Sequence, residues 1–271
     1  MQDKKKLVKM GREKYVFFDI DGTIYDYYRG IPGSTKEAVR LLIENGHHPV
    51  ICTGRTRVMI FDEILDMGFE GIVAGGGTYI EWNGRLLFEK ELPPSEVDRL
   101  VMIFRENGFA SYPEGSYTFY YDPVYVEAGE DEIYRIYQKH IPECLAPVEF
   151  GKMRASKVSA QYTSKSNTQK VIEAVGDDYI WVDHAGTLFE TIPKDFSKGT
   201  GIRYLIDSLG ADMEDTCAFG DSFNDLDMLN TVKYGIVMGN GNRELMQRIP
   251  CRTEGMFEDG IYNALKRMGM I

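Results

Sequence analysis

The sequence predicts an α/β fold, a parallel sheet wound with helices and interrupted by an inserted α+β segment. Three observations predict it. Apolar, β-rich runs alternate with helix-spaced patterns from Tyr15 to about residue 86. The texture then changes to a tyrosine-rich stretch through residue 189, and the alternation resumes from residue 190.

The first element, Tyr15-Val16-Phe17-Phe18, ends abruptly in Asp19-Ile20-Asp21-Gly22-Thr23. Four consecutive apolar or aromatic residues suit a central strand covered on both faces. Ser34-Thr35-Lys36-Glu37 reads as a capping box, opening a helix with Ala38, Leu41 and Leu42 on one face and Asn45-Gly46 at its end. His48–Cys52 is a second strand and ends in Thr53-Gly54-Arg55. A helix carrying Phe61, Ile64 and Leu65 closes at Gly68, and Gly71–Ala74 is a third strand. Gly75-Gly76-Gly77 lacks the G-x-G-x-x-G spacing of a dinucleotide loop and reads as a flexible turn. Ile80 to Phe88 forms a hairpin about Asn83-Gly84.

In the inserted segment Pro93-Pro94 opens a helix carrying Val97, Leu100, Val101 and Phe104. Tyr112, Tyr117, Tyr120, Tyr121, Tyr125, Tyr134 and Tyr137 are expected mostly as sheet-packing residues. Alternation over Lys157–Tyr162, a helix over Asn167–Val175 and strands at Tyr179–Val182 and Thr187–Ile192 complete it. The parallel pattern returns with Ser197-Lys198-Gly199 and a helix bearing Ile202, Leu205, Ile206 and Leu209. The strand Thr216–Phe219 ends in Gly220-Asp221-Ser222-Phe223-Asn224-Asp225. A helix with Leu226 and Leu229, a strand Tyr234–Met238, and helices around Arg243–Arg248 and from Gly260 close the chain.

Composition narrows the function. The net charge of −11 over 271 residues argues against nucleic-acid or anionic-membrane partners, which need a basic face. Cys52, Cys144, Cys217 and Cys251 show no C-x-x-C spacing, so neither a zinc site nor a disulfide frame is suggested. With no run of eighteen apolar residues and no signal-peptide pattern, a soluble cytoplasmic protein is expected. Residues 1–14, with six basic and two acidic side chains, read as a polar lead-in.

Asp19 and Asp21 stand where a central strand ends, two carboxylates that need a cation or a shared proton to coexist. A calcium loop is excluded, because the fifth and sixth positions counted from Asp19 are Thr23 and Ile24. Thr53, Lys198, and Asp221 with Asn224 and Asp225 share that geometry, each at a strand end or helix start. Singly, each has a plain structural reading: a helix cap, a surface lysine, a second capping box from Ser222 to Asp225. Together they suit phosphoryl transfer, with carboxylate oxygens for Mg²⁺ and a lysine, a hydroxyl and helix N–H groups for the phosphoryl oxygens. The four histidines lie at none of these places.

Asp19-Ile20-Asp21-Gly22-Thr23, Thr53-Gly54-Arg55, Lys198-Gly199 and Gly220-Asp221-Ser222-Phe223-Asn224-Asp225, in that order, resemble the motifs of the haloacid dehalogenase superfamily. The chain is most similar to the Cof-type phosphatases with a type IIB α/β cap, and Glu258-Asp259-Gly260-Ile261 is similar to their C-terminal pattern. The resemblance implies a Rossmann-like core in two parts, residues 1–86 and 190–271, with a cap domain at 87–189. It implies that Asp19 is the nucleophile and Asp21 the acid–base. It places Thr53, Gly54, Lys198 and Asn224 on the phosphate. Mg²⁺ would rest on Asp19, the Asp21 carbonyl and Asp221, with Asp225 ordering the surrounding shell. Where many relatives have Asn-Gly after the third strand, this chain has Gly76-Gly77. The expected activity is hydrolysis of a small phosphorylated metabolite, with a sugar phosphate as one candidate, through an aspartyl-phosphate. A phosphomutase of the same cap type and a non-catalytic phosphometabolite-binding regulator are the alternatives.

Overall fold

The computed structural model describes residues 12–127, 132–184 and 186–271; most of the basic lead-in lies outside them. Strands β1 (Tyr15–Phe18), β2 (His48–Cys52), β3 (Gly71–Ala74), β4 (Tyr79–Trp82) and β5 (Arg85–Glu89) come first. Then follow β6 (Ala110–Glu114), β7 (Phe119–Tyr121), β8 (Leu145–Pro147), β9 (Lys157–Gln161), β10 (Tyr179–His184) and β11 (Leu188–Pro193). The chain returns through β12 (Thr216–Gly220) and β13 (Tyr234–Val237). The first sheet has the order β13-β12-β1-β2-β3-β4-β5, with β1, β2, β3, β12 and β13 mutually parallel and β4 and β5 an antiparallel edge.

β1 lies in the middle because its side chains are apolar in both directions. Val16 and Phe18 enter one core with Ala38, Leu42 and Leu265, while Phe17 enters the other with Ile202, Leu205 and Met228. Helices therefore cover both faces, as the near-continuous apolar strands require. The capping box expected at Ser34–Glu37 does not form. Pro32 already holds φ −58° and ψ 140° as the N-cap, so the helix starts at Gly33 and Ser34 falls inside its first turn. Asn83 and Gly84, at φ 48° and 73°, make the two-residue turn between β4 and β5. The triple glycine is a buried, tightly wound turn rather than a flexible one. Gly77 has φ 95°, and a side-chain carbon there would overlap the Ser197 carbonyl at the start of the helix Lys198–Leu209.

The second sheet, β10-β11-β9-β6-β7-β8, is antiparallel except for the β7–β8 pair. Its alternation divides it cleanly. Val158, Ala160 and Phe189 face a core closed by Val97, Leu100, Val101 and Phe104 of the helix Pro94–Glu106 and Val171 of Thr168–Val175. Tyr112 on the opposite face joins Met59, Phe61, Phe119 and Tyr137 in the core shared with β1, which seats this sheet over the first. β5 runs past residue 86 to Glu89 and β11 past residue 189 to Pro193, so both expected boundaries fall inside strands. No helix among the described residues is long and apolar enough to cross a membrane.

Candidate active site

The strand order brings the carboxyl ends of β12, β1 and β2 side by side. The residues just beyond those ends are Asp221, Asp19 and Thr53. The Asp19 amide donates to the Phe219 carbonyl at 3.0 Å, fixing the first carboxylate in line with the sheet. Lys198 opens its helix behind an N-cap, Ser197, whose hydroxyl accepts from the Thr200 amide at 3.1 Å. Asp227 accepts from the Gly199 amide at 3.0 Å and from the Ser197 hydroxyl, so the whole turn is held. From there the Lys198 ammonium, almost fully buried, donates to Asp19 Oδ1 at 2.6 Å and also to Asp225 Oδ1.

Asp225 is the anchor of the third motif. Its Oδ2 accepts from the Asp221 and Ser222 amides at 2.9 and 3.0 Å, so the capping geometry and the lysine contact coexist in one side chain. The Thr23 hydroxyl reaches Asp221 Oδ1 at 3.3 Å. Gly22 has φ 78°, and a side-chain carbon there would overlap the Asp221 carboxylate, so glycine is required twice over. Asp19, Asp221 and Asp225 thus offer oxygens within 4.8 Å of one another.

One buried ammonium does not neutralise three carboxylates. Burial, then Asp225, pushes the Asp19 carboxyl well up against the opposing pull of Lys198. Burial, followed by Asp225, raises Asp221 to about 7. Burial would push the Lys198 ammonium down, but Asp19 and Asp225 outweigh it and hold it well above its ordinary value. Crowded carboxylate oxygens short of positive charge are the donor set of a hard divalent cation, so the residues present fit a metal ion.

The other expected residues separate into two groups. Asp21 is not part of the cluster: its carboxylate, half exposed, is held by Arg55 Nη2 at 2.6 Å and Nε at 2.9 Å. Arg55 Nη1 donates to the Met59 carbonyl at 3.0 Å. Its guanidinium carbon lies 5.3, 5.0 and 4.7 Å from the ring centroids of Tyr25, Tyr27 and Phe61. Thr53 is buried and its hydroxyl accepts from the Arg55 amide at 3.1 Å, which leaves the hydroxyl proton available. Asn224 accepts from the Ser222 hydroxyl at 2.6 Å, and both line the same cavity as Gly54. That cavity, about 440 Å³, is floored by Asp19, Asp21 and Thr53 and roofed by Tyr137, Leu188 and Glu190 of the second sheet's unit.

Arg55 and Glu190 line this cavity without being singled out as site residues by the sequence. Arg55 stands within a quoted motif, next to Thr53-Gly54, and its position was the available signal. Glu190 gives a fainter one: a lone acid between Phe189 and Thr191 on a strand whose outward face looks like any solvated face.

A family model for haloacid dehalogenase-like hydrolases matches residues 16–265. YkrA of Bacillus subtilis (strain 168) is 29% identical over 270 residues, spanning 95% of this chain and 98% of YkrA. The HMP-PP phosphatase of Yersinia enterocolitica is 26% identical over 245 residues, 86% of each chain. Among solved structures, a sugar phosphatase of HAD subclass IIB superposes with a TM-score of 0.80 at 22% identity. That match covers 95% of this chain and 100% of the other, a likeness of fold.

Proposed function

The chain belongs to the haloacid dehalogenase-like hydrolases, and from that premise we propose that it is a Mg²⁺-dependent phosphatase. Its substrate would be a small phosphorylated metabolite, cleaved through an aspartyl-phosphate. The observation that carries this reading is the buried lysine shared between Asp19 and Asp225 beside the Asp221 carboxylate, with Asp19 itself lining the cavity.

Asp19 is the nucleophile: an oxygen of its carboxylate forms a bond to phosphorus as the ester P–O bond breaks. Asp21, at the mouth of the cavity, gives a proton to the departing alkoxide. It then takes one from the water that attacks the aspartyl-phosphate, releasing phosphate and restoring Asp19. Lys198 and the Thr53 hydroxyl hold phosphoryl oxygens, with the Gly54 backbone and Asn224 closing round them. Mg²⁺, held by Asp19, the Asp21 carbonyl and Asp221, would neutralise charge on the phosphoryl oxygens. Asp225 orders this set through the two amides and Lys198. Residues 87–189 act as the cap, whose roof over the cavity keeps bulk water from the reacting phosphorus.

Asp19→Asn tests the assignment. Phosphate release from p-nitrophenyl phosphate should fall to background while circular dichroism and melting temperature stay near those of the parent. Retained turnover would reject it. Incubation with a hexose phosphate separates hydrolysis from a mutase, since free phosphate marks the first and an isomerised ester the second.

A further inference from the structure

We propose that Asn240 is a positioning residue for the metal site. Through the Gly22 carbonyl it sets the direction of the Asp21 carbonyl and the reach of the Thr23 hydroxyl, and Glu258 of the C-terminal motif keeps it aimed. This rests on the Mg²⁺-phosphatase reading and deepens it. Asn240 lies in the loop Gly239-Asn240-Gly241-Asn242, just beyond the end of β13. Its Nδ2 donates to the Gly22 carbonyl at 2.8 Å, and its Oδ1 accepts from the Met256 amide at 2.8 Å. One partner is a backbone acceptor and the other a backbone donor, so the side-chain amide satisfies both in a single orientation.

Gly22, at φ 78°, joins two peptide planes, and each is held from a different side. The plane before it carries the Asp21 carbonyl and the Gly22 amide, which donates to the Tyr25 carbonyl at 3.0 Å. The plane after it carries the Gly22 carbonyl, bonded to Asn240, and the Thr23 amide, which donates to the Ile20 carbonyl at 3.2 Å. Glycine tolerates a wide range of torsions, so the second plane can turn against the first unless a donor outside the loop holds it. That turn would swing the Asp21 carbonyl and draw the Thr23 hydroxyl away from Asp221 Oδ1, now 3.3 Å from it.

The same loop grips the other carboxylate. The Asn242 amide donates to the Asp221 carbonyl at 2.7 Å, and a side-chain carbon at Gly241 would overlap that carbonyl. The loop is seated in turn on the C-terminal segment, where the Gly239 amide donates to the Glu254 carbonyl at 3.0 Å. Glu258 Oε2 accepts from the Gly255 amide at 3.1 Å, which fixes the turn that presents the Met256 amide to Asn240. Glu258-Asp259-Gly260 thus gains a part in metal binding, carried through backbone groups rather than as a ligand. A separate tie joins the same two segments: the Arg29 guanidinium carbon lies 3.4 Å from the Phe257 ring centroid. Removing it leaves the Gly22 carbonyl bond alone, which makes Arg29 the control.

Mg²⁺ is titrated into substrate-free protein and read by the rise in melting temperature, and separately by the concentration for half-maximal phosphate release from p-nitrophenyl phosphate. Asn240→Ala and Asn240→Asp should each raise both half-points by about tenfold, with the metal-free melting temperature near that of the parent. A merely structural residue would lower the metal-free melting temperature and leave the half-points in place. Asn240→Asp keeps the acceptor for Met256 but presents no donor to Gly22, and its negative charge alone would draw Mg²⁺ in. A weaker response in that variant therefore reports the lost carbonyl bond. Glu258→Ala should raise the half-points too, and should add little on top of Asn240→Ala, because both act through one chain of contacts. Arg29→Ala should move them by no more than about twofold. Half-points unchanged in Asn240→Asp, or raised as far by Arg29→Ala, would overturn the proposal; should Asn240→Ala not fold, Asn240→Asp decides. Wild-type protein that does not respond to Mg²⁺ would overturn this proposal and the metal reading together. Mg²⁺ binding without phosphate release would strike the phosphatase reading alone, and the substrate-free titrations would still decide this one.

Discussion

Arg55 bridges both oxygens of Asp21, with Nη2 2.6 Å from Oδ1 and Nε 2.9 Å from Oδ2, while its planar head lies among Tyr25, Tyr27 and Phe61. The arginine is buried and the aspartate half exposed, so the pair orients a group at the cavity mouth more than it stabilises the fold. Arg55→Ala should lower kcat about 10²-fold, the typical worth of a positioned acid–base. Arg55→Lys should recover little, because an ammonium lacks the planar fork that meets both oxygens of one carboxylate side by side and cannot also reach the Met59 carbonyl in that plane. Steady-state kinetics on p-nitrophenyl phosphate at several pH values measure both.

Chelation should silence the enzyme reversibly. With Asp19, Asp221 and Asp225 crowded within 4.8 Å, EDTA should bring phosphate release to background. Mg²⁺ should restore it and Ca²⁺ should not, since the larger ion tolerates looser geometry than an in-line displacement needs. Phosphate release after metal add-back is the measurement.

Gly22→Ala places a carbon against the Asp221 carboxylate at a backbone φ of 78°. The left-handed conformation alone costs roughly 1–2 kcal/mol. Displacing Asp221 should raise the Mg²⁺ concentration for half-maximal activity by about tenfold or more. A melting curve and a Mg²⁺ titration separate the two effects.

Glu114 gives a pH dependence of known sign. Burial, opposed by Lys157 and assisted by Glu190, pushes its carboxyl from 4.5 up to about 7. The folded protein thus holds a proton there that the unfolded chain has released, and the associated stability, full below pH 4.5, is lost as pH rises through 7. Glu114→Gln should flatten the fall in melting temperature between pH 5 and pH 8, roughly the window spanning those two values.

Legibility in the sequence followed how local the cause was. Val97, Leu100, Val101 and Phe104 recur at helical spacing, and all four are fully buried. Asn83-Gly84 announces its turn through two residues at positive φ. Asp19, Lys198 and Asp221 were readable because each follows a strand or opens a helix, and the parallel sheet gathers such positions on one rim. Ser34 misled because Pro32, two residues upstream, had already set the helix entry. Gly77 misled because the Ser197 carbonyl that demands glycine is 120 residues away along the chain. Lys157, Ser159 and Gln161 look like the wet side of a strand, and no local pattern tells water from a neighbouring unit. The same blindness hides Glu190.

β1 is flanked on one side by β2 and on the other by β12, which pairs Thr216 with Tyr15. During synthesis, then, the ribosome must deliver some two hundred residues before the second edge of β1 finds its neighbour, and until that moment a strand of Val16, Phe17 and Phe18 stays open to pairing with other chains. Expression that stops short of β12 should yield inclusion bodies rather than an inactive soluble fragment.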